Sequence, residues 1–162
     1  MNILYIDKAN SLDEIRIAER TIWVDEMPKF GNEMFFILKK IKKKSFNKKQ
    51  RISSNINFVP ASKLFFLNFI TVLFKILITN KIKLIVVRNV IDLGFVAFIF
   101  AKVFRIEFLY IKAFPLIESK IRKVKKSKLG YVKVFLLHVM LKVEIFLMKK
   151  STYLISRTEK FS

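Results

Sequence analysis

The stretch Lys83-Leu-Ile-Val-Val-Arg88 decides how the rest of the chain is read. Four apolar residues, three of them β-branched, stand between two charged ones. An unbroken run of this kind is the pattern of a strand buried on both faces, as at the centre of a parallel sheet. Upstream lies a long apolar segment in which Asn68, Thr71, Lys75 and Thr79 are spaced three, four and four residues apart. That spacing draws one thin polar stripe along a helix otherwise apolar, which Ser62 is placed to cap. Downstream, residues 93–104 are almost wholly apolar and read as a helix. Residues 106–111 read as the next strand.

Working outward, Pro115 ends that strand, and Gly130 precedes a long helical segment over 131–149. Residues 153–156 (Tyr-Leu-Ile-Ser) read as a last strand. Towards the start, residues 56–59 form a short strand stopped by Pro60. Met34, Ile37, Leu38 and Ile41 are at helical spacing and predict a helix from Asn32. Pro28 and Gly31 mark the loop before it. Ser11 with Glu14 fits a capping box for a short helix from Leu12, and Asn2–Ile6 opens the chain as a strand. Strands alternating with helices at these intervals predict an α/β fold. It is a single Rossmann-like domain over 1–162, a parallel sheet with helices on both faces. Ligands of such sheets lie beyond the carboxyl ends of the strands, which directs attention to the residues just after each one.

Composition excludes several classes. Apolar residues make up 53% of the 162, so the chain as a whole is not of the disordered kind. Cysteine is absent, which rules out a disulfide scaffold and a cysteine nucleophile. The longest charge-free runs are 11 residues, at 52–62 and 64–74, well short of the ~20 a transmembrane helix needs. The start, Met-Asn-Ile-Leu-Tyr-Ile-Asp, has neither the basic residues nor the long apolar core of a signal peptide. A cytoplasmic location, at the inner face of a membrane, is expected.

Net charge is +20, and it is concentrated. Lys39, Lys40, Lys42, Lys43 and Lys44 belong to one acid-free cluster that runs on to Arg51. Lys120, Arg122, Lys123, Lys125 and Lys126 belong to another. Clusters of this density attract phosphate, in nucleic acid or in anionic lipid head groups. Abundant Lys, Phe, Ile and Asn also fit an A/T-rich coding bias that fills solvated positions with lysine, so no single lysine is decisive. A nucleic-acid module is the less favoured partner class, because the aromatics lie within apolar helices and are not interleaved with surface Lys and Arg.

Motifs of self-contained chemistry are missing. His138 is the only histidine, inside an apolar helix, where packing is the commoner role, so no metal site is expected. No Gly-x-Ser-x-Gly elbow, P-loop or Gly-x-Gly-x-x-Gly occurs, and no cofactor is expected. The chain has 3 glycines, Gly31, Gly94 and Gly130. Gly31 sits where an expected loop passes into an expected helix, a place where backbone amides can face an anion. A simple turn is the plainer role for one glycine.

Four stretches together resemble the N-terminal half of a family 4 glycosyltransferase, a two-domain GT-B enzyme. Asn2–Ile6 resembles the opening strand, and Pro28-Lys-Phe-Gly-Asn-Glu33 the glycine loop before the first helix. Arg88-Asn-Val-Ile-Asp-Leu-Gly-Phe-Val-Ala-Phe-Ile-Phe-Ala-Lys102, then 105–111, resembles the strand end, small-residue helix and following strand. Val143-Glu144 through Ser151 to Thr158 resembles the helix with a Glu near its end and the strand after it. Phe30 stands where the family has the first glycine of a pair, and Thr152 where it commonly has an acid.

The resemblance implies an acceptor-binding domain for sugar transfer in cell-surface polysaccharide synthesis. The donor-binding domain with its Glu-x7-Glu motif is absent from these 162 residues. A nucleotide-sugar donor would then be brought by a missing domain or a partner subunit, and the chain alone would be inactive. Gly31 and Asn32 would lie near sugar and phosphate. Arg88, Asn89, Lys112 and Glu118 would line the acceptor side, with solvated strand ends an equal reading for Arg88 and Lys112. Glu144, within a helix, reads as structural. The basic clusters would face anionic lipid carrying a lipid-linked acceptor. No catalytic base is assigned. A non-enzymatic fragment, or one subunit of a split transferase, is the alternative.

Overall fold

The structure, a computed structural model, describes residues 1–9, 15, 20–40, 55–60, 64–112 and 131–151. Its strands are β1 (Asn2–Ile6), β2 (Glu33–Lys40), β3 (Ile56–Pro60), β4 (Leu84–Arg88) and β5 (Glu107–Ile111). They form one sheet in the order β3-β2-β1-β4-β5, and every neighbouring pair is parallel. The helices are α1 (Phe65–Thr79), α2 (Ile91–Val103) and α3 (Tyr131–Lys150). The chain is therefore α/β with a Rossmann-like parallel sheet.

Side chains alternate across the sheet as the period of two requires. Leu4, Ile6, Phe35, Ile37, Ile85, Val87, Phe108 and Tyr110 face one way, into a core closed by α1, α2 and the end of α3. Ile3, Tyr5, Met34, Phe36, Leu38, Val86, Leu109 and Ile111 face the other way, where Ile15 and Trp23 pack on them. All four apolar residues of the 84–87 run are buried, as the sequence implied.

The helix expected from Asn32 is instead strand β2. Positions 34, 37, 38 and 41 fit a helical stripe, but Phe35 and Phe36 fill the gap between them. Met34–Leu38 thus has no polar side to turn outward, and its residues are divided between the two cores. A helix there would expose part of that run; a central strand buries all of it. The sheet has five strands, but β2 is one the sequence placed in a helix. The strand expected over 153–156, the helix start at Leu12 and the caps Ser11 and Ser62 lie outside the described residues.

The crossover from β1 to β2 carries a π-helical turn, Thr21–Glu26, and a 3-10 turn, Met27–Phe30. Gly31, at φ 72°, ends it in the left-handed region that glycine enters at little cost. Asn32 then donates from Nδ2 to the Met27 carbonyl at 3.0 Å.

Gly94 lets α2 approach the sheet. A methyl group there would meet Tyr110 at 3.1 Å, Val87 at 3.3 Å and Leu147 at 3.4 Å. Ala97 and Ala101, one and two turns further on, are also fully covered. No helix among the described residues is long and apolar enough to cross a membrane.

Candidate binding site at the carboxyl rim

From β1 the chain moves to β2 and β3 on one side; from β4 it moves to β5 on the other. The carboxyl ends of β1 and β4 are thus the point where the winding reverses. Connections diverge to opposite faces there and leave a crevice. Ile6 is in register with Val87, which sets Asp7 beside Arg88.

Arg88 donates from Nη1 to Asp7 Oδ2 at 2.9 Å, and both residues are buried, at 9% and 8% exposure. Asp7 Oδ1 accepts from the Ala9 amide at 3.1 Å, so the carboxylate is held from two sides. Above this pair, Lys8 Nζ spans both oxygens of Asp92, at 2.9 and 3.1 Å. Asp92 lies in the first turn of α2, where its negative charge suits the helix dipole. Asn89, between β4 and α2, has φ 50°, and its amide donates to the Ile111 carbonyl at 3.0 Å. Asparagine tolerates this backbone better than most residues.

A second polar group lies one strand over. Lys112 Nζ is 3.0 Å from Glu144 Oε2, and Tyr110 donates from its hydroxyl to Glu144 Oε1 at 3.4 Å. Glu144 is almost fully buried. Burial pushes the Tyr110 phenol far above its ordinary value, and the neighbouring Glu144 charge and hydrogen bond push the same way. Tyr110 therefore stays neutral and keeps its proton for donation. Ser151, just past α3, donates to the Phe108 carbonyl at 3.1 Å and accepts from the Tyr110 amide at 3.0 Å. It thereby holds the backbone of β5 to the end of α3.

Of the residues expected to bind substrate, Arg88, Asn89 and Lys112 are brought together at the carboxyl ends of adjacent strands. Gly31 and Asn32 are not with them. They precede β2, and Gly31 accepts from the chain's own amino group, so both sit at the amino rim. Five residues of strand at ~3.3 Å each separate the two rims. The loop-to-helix junction expected at Gly31 is a turn-to-strand junction, because β2 replaces the helix. Glu118, Lys42, Lys43, Lys44, Lys120, Arg122, Lys123, Lys125 and Lys126 lie outside the described residues. Lys39 and Lys40 close β2 at its carboxyl end.

Glu144, within the helix, is buried against Lys112 and Tyr110. Lys8 and Asp92 come from the stretches just after β1 and β4, whereas Tyr110, in the core within β5, was not singled out in the sequence. Asp7 was legible only as the residue that follows the first strand.

Along the carboxyl ends of β1, β4 and β5 stand a guanidinium, two ammonium groups and a side-chain amide, the three cations each paired with a carboxylate. Such a set can donate to and accept from a hydroxyl-rich or phosphorylated ligand. Among the described residues, no three His, Cys, Asp or Glu side chains gather in a way that could hold a metal ion. Comparisons with protein families, with curated proteins and with solved structures find no match to this chain.

Proposed function

We propose that this chain is the acceptor-binding domain of a glycosyltransferase, acting on a glycan or lipid-linked acceptor with a nucleotide-sugar donor supplied by another domain or subunit. The observation that carries the reading is the reversal of the winding between β1 and β4, with Arg88 and Asn89 at the carboxyl end of β4. The run 88–111 also supports it. A strand ending in Arg88, a helix with small residues against the sheet, and a following strand occur as β4, α2 and β5, in the order the resemblance implies.

In this reading the acceptor's hydroxyl is held at the rim. The bond from the sugar's anomeric carbon to the diphosphate breaks as the bond to the acceptor oxygen forms, and the hydroxyl proton leaves to a base outside the assigned residues. The domain's share is positioning, with Asn89 and Lys112 near the acceptor and the Asp7–Arg88 pair as their rigid floor. Gly31 and Asn32, on the far rim, have no part in it. The work takes place at the cytoplasmic face of an anionic membrane.

The test is calorimetric titration of the intact chain with short-chain prenyl-phosphate saccharides and soluble oligosaccharides. Asn89→Gly keeps the left-handed backbone and removes only the amide side chain. It should weaken binding roughly 3- to 10-fold, the value of one or two hydrogen bonds, with the melting temperature little changed. Binding that ignores this substitution, or rapid sugar transfer by the chain alone, would contradict the assignment.

A further inference from the structure

The outer surface of the helical layer is apolar. α2 lies between α1 and α3, joined by Phe74 against Phe100 on one side and Phe98 against Phe146 on the other. α1 and α2 bury one side on the sheet, α3 is buried only towards its end, and all three turn large apolar side chains outward. Leu67 is 59% exposed on α1, Ile99 46% on α2 and Phe135 68% on α3, and Phe66, Ile78 and Leu136 extend the patch. Large apolar side chains exposed on three neighbouring helices mark a contact site.

The exposed charges on these helices are lysines, apart from Asp92. Lys75, Lys102, Lys133, Lys142, Lys149 and Lys150 are exposed on the three helices. Of their acids, Asp92 is engaged by Lys8 at the rim and Glu144 is buried against Lys112. Arginine is absent from these helices.

We infer that this helical face lies on an anionic lipid bilayer, its aromatic and aliphatic side chains in the head-group boundary and its lysines paired with lipid phosphates. Three features favour a bilayer over a protein partner. Protein interfaces are depleted in lysine and enriched in arginine, the reverse of what stands here. Lysine stems can bury their methylenes and keep the ammonium at head-group level. None of the described helices is long and apolar enough to span, so their outward apolar side chains can reach only the head-group boundary. This places the contact on the described helices, whereas the sequence had assigned it to the clusters at 39–44 and 120–126. It does not depend on the transferase reading: lipid contact and saccharide binding occupy different surfaces and fail separately.

The chain has no cysteine, so single-cysteine labelling reads the contact directly. An environment-sensitive fluorophore is placed on Phe135→Cys, and on Phe30→Cys at the amino rim, where Phe30 is 77% exposed. With vesicles of phosphatidylcholine containing phosphatidylglycerol, the label at 135 should shift blue and the label at 30 should not. Phosphatidylcholine alone should leave both unmoved. The pair Leu67→Glu and Phe135→Glu, at exposed positions that tolerate polar residues, should weaken vesicle co-sedimentation roughly tenfold or more. Equal binding to neutral and anionic vesicles would overturn the inference, as would an unaffected glutamate variant. A dimer that shields the label at 135 without lipid would assign the face to a second copy of the chain instead.

Discussion

Arg88 and Asp7 are 81 residues apart in the chain and share a 2.9 Å charge-assisted hydrogen bond under the rim. Because both are buried, removing one partner leaves a charge without water to solvate it. Arg88→Met should cost about 3–5 kcal/mol in urea denaturation. Adding Asp7→Asn removes the stranded charge but keeps an oxygen for the Ala9 amide, and should recover most of that loss. Equal loss in the single and double variants would show that the pair is not coupled. Each residue was legible alone, Arg88 as the end of an obvious strand and Asp7 as the first residue after another. Their pairing was not, because it needs β1 beside β4, a neighbourhood no local pattern encodes. Glu144 did leave a trace: it is the one acid in the 20 residues of a lysine-bearing helix, which is how a buried ion-pair partner looks in sequence.

At the level of elements, α2 ends in two linked hydrogen bonds, Ile106 amide to Ala101 carbonyl at 2.8 Å and Arg105 amide to Lys102 carbonyl at 3.3 Å. This is a Schellman ending, and it requires a left-handed residue, here Arg105 at φ 55°. A left-handed side-chain-bearing residue costs ~1–2 kcal/mol, and glycine gives part of that back as lost chain entropy. Arg105→Gly should therefore stabilise the fold by about 0.5–1 kcal/mol, read as a higher urea midpoint with unchanged slope. A lower midpoint would show that the arginine side chain contributes more than its backbone costs. The helices and strands between residues 65 and 111, and the helix from 131, were legible because long apolar periods and β-branched runs rarely coexist in one segment. β2 was not, since five successive apolar residues satisfy a helical stripe and a two-sided strand alike. Only its position between β1 and β3 decides between them, and that is a property of the whole sheet.

At the level of the molecule, two surfaces carry the account. The carboxyl rim gathers polar groups where the sheet's winding reverses, and the helical layer presents apolar and cationic side chains on one face. The parallel order was foreseeable from the alternation of elements. The rim's membership was foreseeable only in part, because β2 carried Gly31 and Asn32 to the opposite end of the sheet. The most direct test of the central claim is amide chemical-shift mapping of the chain titrated with a short-chain prenyl-phosphate saccharide. The account predicts shifts at Asp7, Lys8, Arg88, Asn89 and Lys112, with Gly31 and Asn32 unmoved. Shifts confined to the amino rim, or none anywhere at saturating saccharide, would contradict it.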